Sequence, residues 1–465
     1  MSIFSKAGAV ACMALLAAGT AQAGERYVLT ASGWGKLQAA HVAAAGGKVR
    51  FAHAGAGVAV VESSNPQFLS QVLAGGAIMG GALDVEVDWT GPMRSVGLEE
   101  QAINPSNDTF YSTIQWAPQS IGAPQAWSAG YTGRGVRVAV IDGGIYGAHA
   151  DLAANVDAAA GRSFVSPGEP ADPCRTAWNC DVGTIWHGTH VAGIVAAVDN
   201  TTGVVGIAPE ATIVPVKALH DGEGSFGAVI QAILYAATGG NADIINMSLG
   251  AVIPRNEGSA VLTSALNRAV NWAGRLGVLV VSAAGNDGLD IDHLWNVDFE
   301  GLPAYLRNVY VTPAQNGNGL AVSSTGPLGF GFGVTNFTRF SSYSNWGTSL
   351  VTVAAPGGDF AYLGNENCTL PVGAGTLTRP CWVFDMVLST VRGSTSSGAY
   401  NWLAGTSMAA PAAAAVAALI KQRFPNISVG ELKNRLAQSA DDLGKPGVDP
   451  YYGRGFVNAY RAVTQ

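Results

Sequence analysis

The sequence predicts an α/β protein with a central, mostly parallel sheet, preceded by a small α+β unit. Two patterns carry this expectation. From Ala123 onward, continuous apolar runs alternate with helical stretches, as a parallel sheet buried on both faces requires. Before that, residues 24 to about 110 mix short alternating strands with two short helices. Composition permits a large core, since 48% of the 465 residues are hydrophobic and 12% charged, unlike a disordered chain. The 25 Lys and Arg against 32 Asp and Glu give a formal charge of -7. No block of like charge stands out, which argues against nucleic acid as a partner. The 61 glycines are interspersed with apolar segments and mark tight turns and close packing rather than a linker.

Taken in order, residues 1–23 have the layout of a secretory signal: Lys6, an apolar run from Ala7 to Ala18, and Ala21-Gln22-Ala23 at a cleavage site expected after Ala23. The run is well short of the roughly 20 residues of a spanning helix, so a membrane anchor is the weaker reading. An extracellular or periplasmic destination follows. Residues 24–110 form the α+β unit: a strand RYVLT, a helix around Leu37 to Ala45, strands KVRF and VAVVE, a helix near Phe68 to Leu73, and a strand VEVDW. It closes in the turn-prone Asn104-Pro-Ser-Asn-Asp108, an exposed boundary where a protease could cut.

Residues 111–465 carry the larger domain. Its strands and helices alternate: VRVAVID, a helix from His187 through Val198, TIVPVKAL, a helix around Ala228 to Ala237, DIINMSLG, a helix from Ser259 to Leu276, and VLVVSAAGN. NVYVTPA, VTVAAPG and a closing helix from Ser407 to Phe424 complete the scheme. Gln315 to Thr338 reads as a Gly/Ser-rich insertion, and 359–400 as a second one; both are expected to border the cleft. No repeat period of roughly 20 to 50 residues is present.

Cys12 lies in the signal, which leaves Cys174, Cys180, Cys368 and Cys381 in a chain where disulfides persist. Four cysteines allow three pairings. Cys174 with Cys180 and Cys368 with Cys381 close the shortest loops and cost the least entropy, each clipping a surface insertion. Free thiols are the alternative, and zinc is disfavoured because neither pair has C-x-x-C spacing.

Four stretches carry chemistry. In VAVIDGG, Asp142 follows an apolar strand at its carboxyl end, where ligand sites gather in open parallel sheets; by itself it also reads as a turn cap before Gly143. In HGTHVAGIVAA, His187 and His190 share a helix face. A zinc peptidase would need H-E-x-x-H, and Gly188 and Thr189 stand between them instead. His187, at the helix mouth, suits a titrating base, whereas His190 also reads as a satisfied buried histidine. In GTSMAAPAAAAVAALI, Ser407 opens a long apolar helix near unpaired backbone N–H groups, which suits a nucleophile that generates an oxyanion, or a plain N-cap. In VSAAGNDG, Asn286 sits in a Gly-bounded loop after an apolar strand, alone no more than a turn.

The four together, in the order Asp, His, Asn, Ser, with the long matches HGTHVAG and GTSMAAP, resemble the subtilisin-like serine peptidases (subtilases) over Ala117 to Val463. That resemblance implies a three-layer subtilisin-like fold and a secreted serine endopeptidase acting on protein or peptide substrates. It implies that Asp142 orients the base, His187 takes the proton of Ser407, Ser407 attacks the peptide carbonyl, and Asn286 with the Ser407 N–H holds the oxyanion. Gly143, where the family usually has Ser or Thr, and Ala412, where it more often has His, depart from the pattern.

Further features rest on the same resemblance. Gly222 to Phe226, with Gly224 and Ser225, and Ser248-Leu249-Gly250 resemble the edge strands that grip an extended substrate. Gly301 resembles the base of a deep specificity pocket suited to large apolar side chains, with Glu300 nearby making a basic preference conceivable. The loop AAVDNTTGVVGIAP and Asp151 in HADL resemble a structural calcium site, with Asp151 and Asn200 among its ligands; a plain turn at Gly203 is the alternative. The 24–110 unit resembles an inhibitory propeptide removed by self-cleavage, or else is a permanent accessory domain. A monomer is expected. A catalytically silent binding module would need a replaced triad position, and a cell-surface passenger would need a barrel-length region, for which Gln465 leaves no room.

Overall fold

The computed structural model describes residues 24–91, 94–97, 110, 113–168, 170–294, 309–361, 364–373 and 375–465. The expected signal, the Asn104–Asp108 junction, Glu300 and Gly301 lie outside the described residues. Among the described residues no helix is long and apolar enough to cross a membrane.

The amino-terminal unit contains β1 (Glu25–Thr30), α1 (Lys36–Ala44), β2 (Gly47–His53), β3 (Val58–Ser63), α2 (Phe68–Ala74) and β4 (Gly80–Leu83). The strands form an antiparallel sheet in the order β2-β3-β1-β4. Strand alternation sends Tyr27 and Leu29 to one face, where they pack with Val42, Phe68 and Val72 of the two helices. Val28, Val58 and Ala82 point the other way and join the core of the following domain. β4 was not legible in GGAL, whose glycines carry no strand preference. VEVDW is extended but leaves this sheet: β5 (Glu86–Asp88) pairs elsewhere, as does β6 (Arg94–Gly97).

The larger domain is built on β7 (Arg137–Asp142), β8 (Arg162–Ser163), β9 (Thr212–Lys217), β11 (Ile244–Met247), β13 (Leu279–Ala283), β15 (Leu320–Gly326), β16 (Arg339–Phe340) and β17 (Val353–Pro356). Their order is β16-β15-β13-β11-β7-β9-β8, with β17 on β15. Every pairing is parallel except that of β15 with β16. The expected α/β architecture is present, with helices on both faces. Val138 and Val140 pack with α3 (His187–Ala196) and the long helix Thr406–Arg423, while Ala139 and Ile141 pack with the helices Phe226–Ala237 and Glu257–Arg275. These last three helices are α4 (Phe226–Ala237), α5 (Glu257–Arg275) and α6 (Thr406–Arg423).

Two expectations change. β15 runs through the stretch read as a Gly/Ser-rich insertion and is a central strand between β13 and β17. NVYVTPA is a strand, β14 (Val309–Thr312), but it pairs antiparallel with β12 (Ala251–Pro254) outside the main sheet. Late in the chain the hairpin β18 (Asn367–Val372) and β19 (Gly375–Pro380) precedes the antiparallel pair β20 (Val387–Val391) and β21 (Ala399–Ala404). Both expected disulfides are formed, Cys174 to Cys180 and Cys368 to Cys381.

Candidate active site

Asp142 ends β7 and is 1% exposed. Its backbone carbonyl accepts from Ala218 N at 2.9 Å, and its carboxylate accepts from Gly143 N at 2.7 Å. α3 starts directly above it. A Cβ on Gly188 would stand 2.9 Å from the Asp142 Cβ and 2.6 Å from the Gly144 carbonyl, so glycine is what lets the helix mouth approach this closely. Trp186, just before the helix, takes φ 51°, a left-handed conformation that bulky residues avoid and that turns the chain into His187.

His187 Nδ1 lies 2.9 and 3.0 Å from the two Asp142 oxygens. Since a carboxylate only accepts, Nδ1 carries the proton, which leaves the Nε2 lone pair free. Nε2 is buried and makes no hydrogen bond among the described residues. Burial alone pushes the His187 pKa down; the charge and hydrogen bond of Asp142, with the charge of Asp181, outweigh it and hold the imidazole above its ordinary value. His190 behaves differently. Its Nε2 donates to the carbonyls of Asn401 and Val387 at 3.0 and 3.2 Å, and burial pushes its pKa down to about 3. It is a neutral clamp between α3 and the β20–β21 pair.

Ser407 is the second residue of α6, 2% exposed. Pro411, four residues on, has no N–H, so the Ser407 carbonyl lacks its helical partner. Ser248 supplies a replacement: its hydroxyl donates to the Ser407 carbonyl at 2.7 Å and accepts from Asn246 Nδ2 at 2.9 Å. In return the Ser407 hydroxyl donates to the Ser248 carbonyl at 3.2 Å, a long bond that leaves it weakly held. Asn286 Oδ1 accepts from Thr406 N and Thr406 Oγ1, both at 2.8 Å. That fixes the amide so that its N–H₂ faces the helix mouth. A Cβ on Gly405 would lie 3.4 Å from Asn286 Nδ2 and 3.6 Å from Ser407 N, so the two donors look onto one small space.

Beside this constellation the amino-terminal segment pairs with two strands of the larger domain. β5 runs antiparallel to β10 (Glu223–Ser225), with Asp88 opposite Glu223, Val87 opposite Gly224 and Glu86 opposite Ser225. Trp89 continues the ladder: its N–H donates to the Gly222 carbonyl at 2.9 Å and its carbonyl accepts from Gly250 N at 2.7 Å. Its indole is fully buried, donates from Nε1 to the Gly224 carbonyl at 2.8 Å, and packs edge-on to Phe226 in one apolar cluster with Leu249 and Ile253. β6 in turn pairs antiparallel with β21, Arg94 opposite Ala404, two residues before Thr406 opens α6. Residues 92 and 93, between these two pairings, lie outside the described residues. Ser225 also caps α4, accepting from Ala228 N at 3.1 Å and donating to Asp84 at 2.9 Å.

Asp151 and Asn200 come together, but as partners of each other. Asp151 Oδ1 accepts from Asn200 Nδ2 at 3.1 Å and lies 3.1 Å from Thr202 Oγ1; Oδ2 accepts from Val204 N at 3.0 Å and from the Tyr400 hydroxyl at 2.9 Å. Asn200 Oδ1 accepts from Thr202 N at 3.0 Å. The calcium expectation rested on Asp151, Asn200 and loop carbonyls; the side-chain oxygens of Asp151 and Asn200 are committed to protein donors, and Asn200 turns an N–H toward Asp151. This donor set does not fit a hard cation.

Sequence reading placed Trp89 in the strand VEVDW of the amino-terminal unit and gave it no role at the site. It also missed Asp181 and Lys217, which lie beside Asp142.

Comparison with known proteins gives consistent matches. The model described as Subtilase family matches residues 133–455. Thermitase of Thermoactinomyces vulgaris is 35% identical over 359 residues, covering 77% of this chain and 98% of thermitase. Alkaline elastase YaB of Bacillus sp. (strain YaB) is 37% identical over 355 residues, 76% of this chain and 71% of that protein. Of solved structures, a protease from Pseudoalteromonas arctica PAMC 21717 is similar with a TM-score of 0.58 at 30% identity, covering 77% of this chain and 98% of that one. The epidermin leader peptide processing serine protease from Staphylococcus aureus covers 95% and 98% with a TM-score of 0.73 at 22% identity, a likeness of fold.

Proposed function

This chain belongs to the subtilase family and is a serine-type endopeptidase, and from that premise we propose that Asp142, His187 and Ser407 form its catalytic triad, with Asn286 as oxyanion donor. The observation that carries the reading is the His187 Nδ1 contact with both Asp142 oxygens, which leaves a bare, buried Nε2 as the base. Nε2 takes the Ser407 proton as Oγ bonds to the substrate carbonyl carbon. The negative oxygen then meets Asn286 Nδ2 and Ser407 N–H. His187 returns the proton to the leaving amine, and water hydrolyses the acyl-enzyme by the same steps.

We further propose that the chain is a secreted, self-inhibited precursor that processes itself. Residues 86–89 lie in the groove in the antiparallel manner of an extended substrate, with Gly222, Gly224 and Gly250 supplying the backbone partners and Trp89 filling the apolar pocket. Further along, β6 pairs with β21, the strand that leads into α6 and Ser407. On this reading the cut falls between Thr90 and Arg94, upstream of the boundary expected at Asn104–Asp108; the pairings of β5 with β10 and of β6 with β21 support it.

Wild type and Ser407→Ala expressed in parallel test the proposal by chain length and casein hydrolysis. Loss of both processing and hydrolysis in Ser407→Ala is expected, and the amino terminus of the wild-type product should fall at 91–94. Equal behaviour of the two proteins sinks the triad.

A further inference from the structure

The departure at Gly143 has a visible cause. A Cβ there would stand 2.5 Å from Asp181 Oδ2, and one on Gly144 would stand 2.6 Å from the Cys180 carbonyl. The chain leaving the Cys174–Cys180 disulfide lies directly on the two glycines that follow Asp142. It brings a second carboxylate, 9% exposed in its side chain, beside the proposed triad.

Behind Asp181 stands Lys217, which is opposite Asp142 in the β7–β9 register and is 0% exposed. Its ammonium donates to the Gly143 carbonyl and, at 2.9 Å, to the Cys180 carbonyl, and lies 3.8 Å from Asp181 Oδ1. A fully buried lysine is rare unless paired, and here both of its carbonyl acceptors belong to the segments that carry Asp142 and Asp181. Asp181 Oδ1 also accepts from Val182 N at 2.9 Å.

We propose that Asp181 is a positioning residue for the Asp142–His187 pair: a carboxylate anchored by Lys217 and the Cys174–Cys180 clip that stabilises the imidazolium formed when His187 takes the Ser407 proton. The proposal rests on the triad reading. The groups facing Asp181 are Lys217 from β9, Asp142 from β7, His187 from α3 and, after β9, Asp221, whose backbone hydrogen-bonds the carboxylate; Arg175 and Asp172 act on Lys217 from the clip, with His220 beyond β9. Burial, with the Asp142 charge added, pushes Asp181 up to about 6 against the pull of Lys217. It is therefore ionised at the pH where His187 must be neutral. A negative charge there raises the imidazole pKa. The imidazolium of the transition state is stabilised by the same charge, so acidic limb and turnover should respond together.

The test measures kcat and KM for casein-derived peptide hydrolysis against pH for the processed wild type, Asp181→Asn and Asp181→Glu. Asp181→Asn should move the acidic limb of kcat/KM to lower pH by up to about one unit and lower kcat by up to about tenfold, with KM little changed. Asp181→Glu should restore part of both. An acidic limb unmoved in Asp181→Asn overturns the proposal, whereas activity surviving in Ser407→Ala would overturn the triad itself. Should Asp181→Asn not fold, Gly143→Ser serves instead: its side chain must displace Asp181, and the limb should move the same way. Gly143→Ser/Asp181→Gly should relieve that clash and process faster than Gly143→Ser alone; no improvement overturns the proposed contact.

Discussion

Removing the Ser248 hydroxyl isolates the consequence of Pro411. Without that hydroxyl, the Ser407 carbonyl, already denied a helical partner, is left buried and unpaired, and so is Asn246 Nδ2, whose residue is 0% exposed. Each orphaned buried group costs about 1–3 kcal/mol, so with two of them Ser248→Ala should destabilise the chain by about 2–6 kcal/mol. Urea unfolding followed by tryptophan fluorescence measures it, in a Ser407→Ala background that stops self-digestion while leaving the carbonyl in place. Pro411→Ala gives the decisive second arm. An N–H at position 411 restores the partner of the Ser407 carbonyl, so Ser248→Ala should then cost about 1–2 kcal/mol less. If Ser248→Ala costs the same whether or not Pro411→Ala is also present, the pairing of Ser248 with the freed carbonyl is not what stabilises the helix mouth, and the reasoning fails.

Two more expectations concern the site directly. His187 is held above its ordinary value, and only the neutral imidazole can take the serine proton; activity should therefore fall as pH drops through a value above 6.5. A kcat/KM profile whose acidic limb lies at or below 6.5 contradicts that electrostatic reading. Trp89→Ala removes a large, fully buried side chain that the amino-terminal unit packs against Phe226 and Leu249, and should weaken its hold by at least about tenfold. The readout is the amount of cleaved amino-terminal fragment that co-purifies with the processed enzyme; retention equal to wild type would show that the indole is not the anchor.

The candidate site residues could be picked out because Asp142 ends an apolar strand, His187 and Ser407 stand at the starts of apolar helices, and Asn286 lies in the loop three residues past β13. β15 escaped because its polar half, Ser323, Ser324 and Thr325, is fully buried. Those hydroxyls are satisfied by distant partners, Ser324 by Ser341 and Tyr343 at 2.8 Å and Ser323 by the Tyr451 carbonyl at 2.7 Å. No local pattern reports such a network. The same holds for Asp181, which follows the Cys174–Cys180 clip and was not singled out, and for Asp151, whose carboxylate finds partners in Tyr400 and Val204 that no local pattern announces.

The groove-filling segment has a kinetic consequence. While the chain is uncut, residues 86–89 are tethered to the groove they occupy, at an effective concentration of the order of millimolar for a short connection. A soluble substrate at micromolar level hardly competes with that. On the proposed reading the first cut is unimolecular, so its rate should not depend on how dilute the protein is. After the cut the same contacts become a bimolecular equilibrium, and dilution alone begins to empty the groove. Export into a large volume would thus act as the second trigger, with no further chemistry.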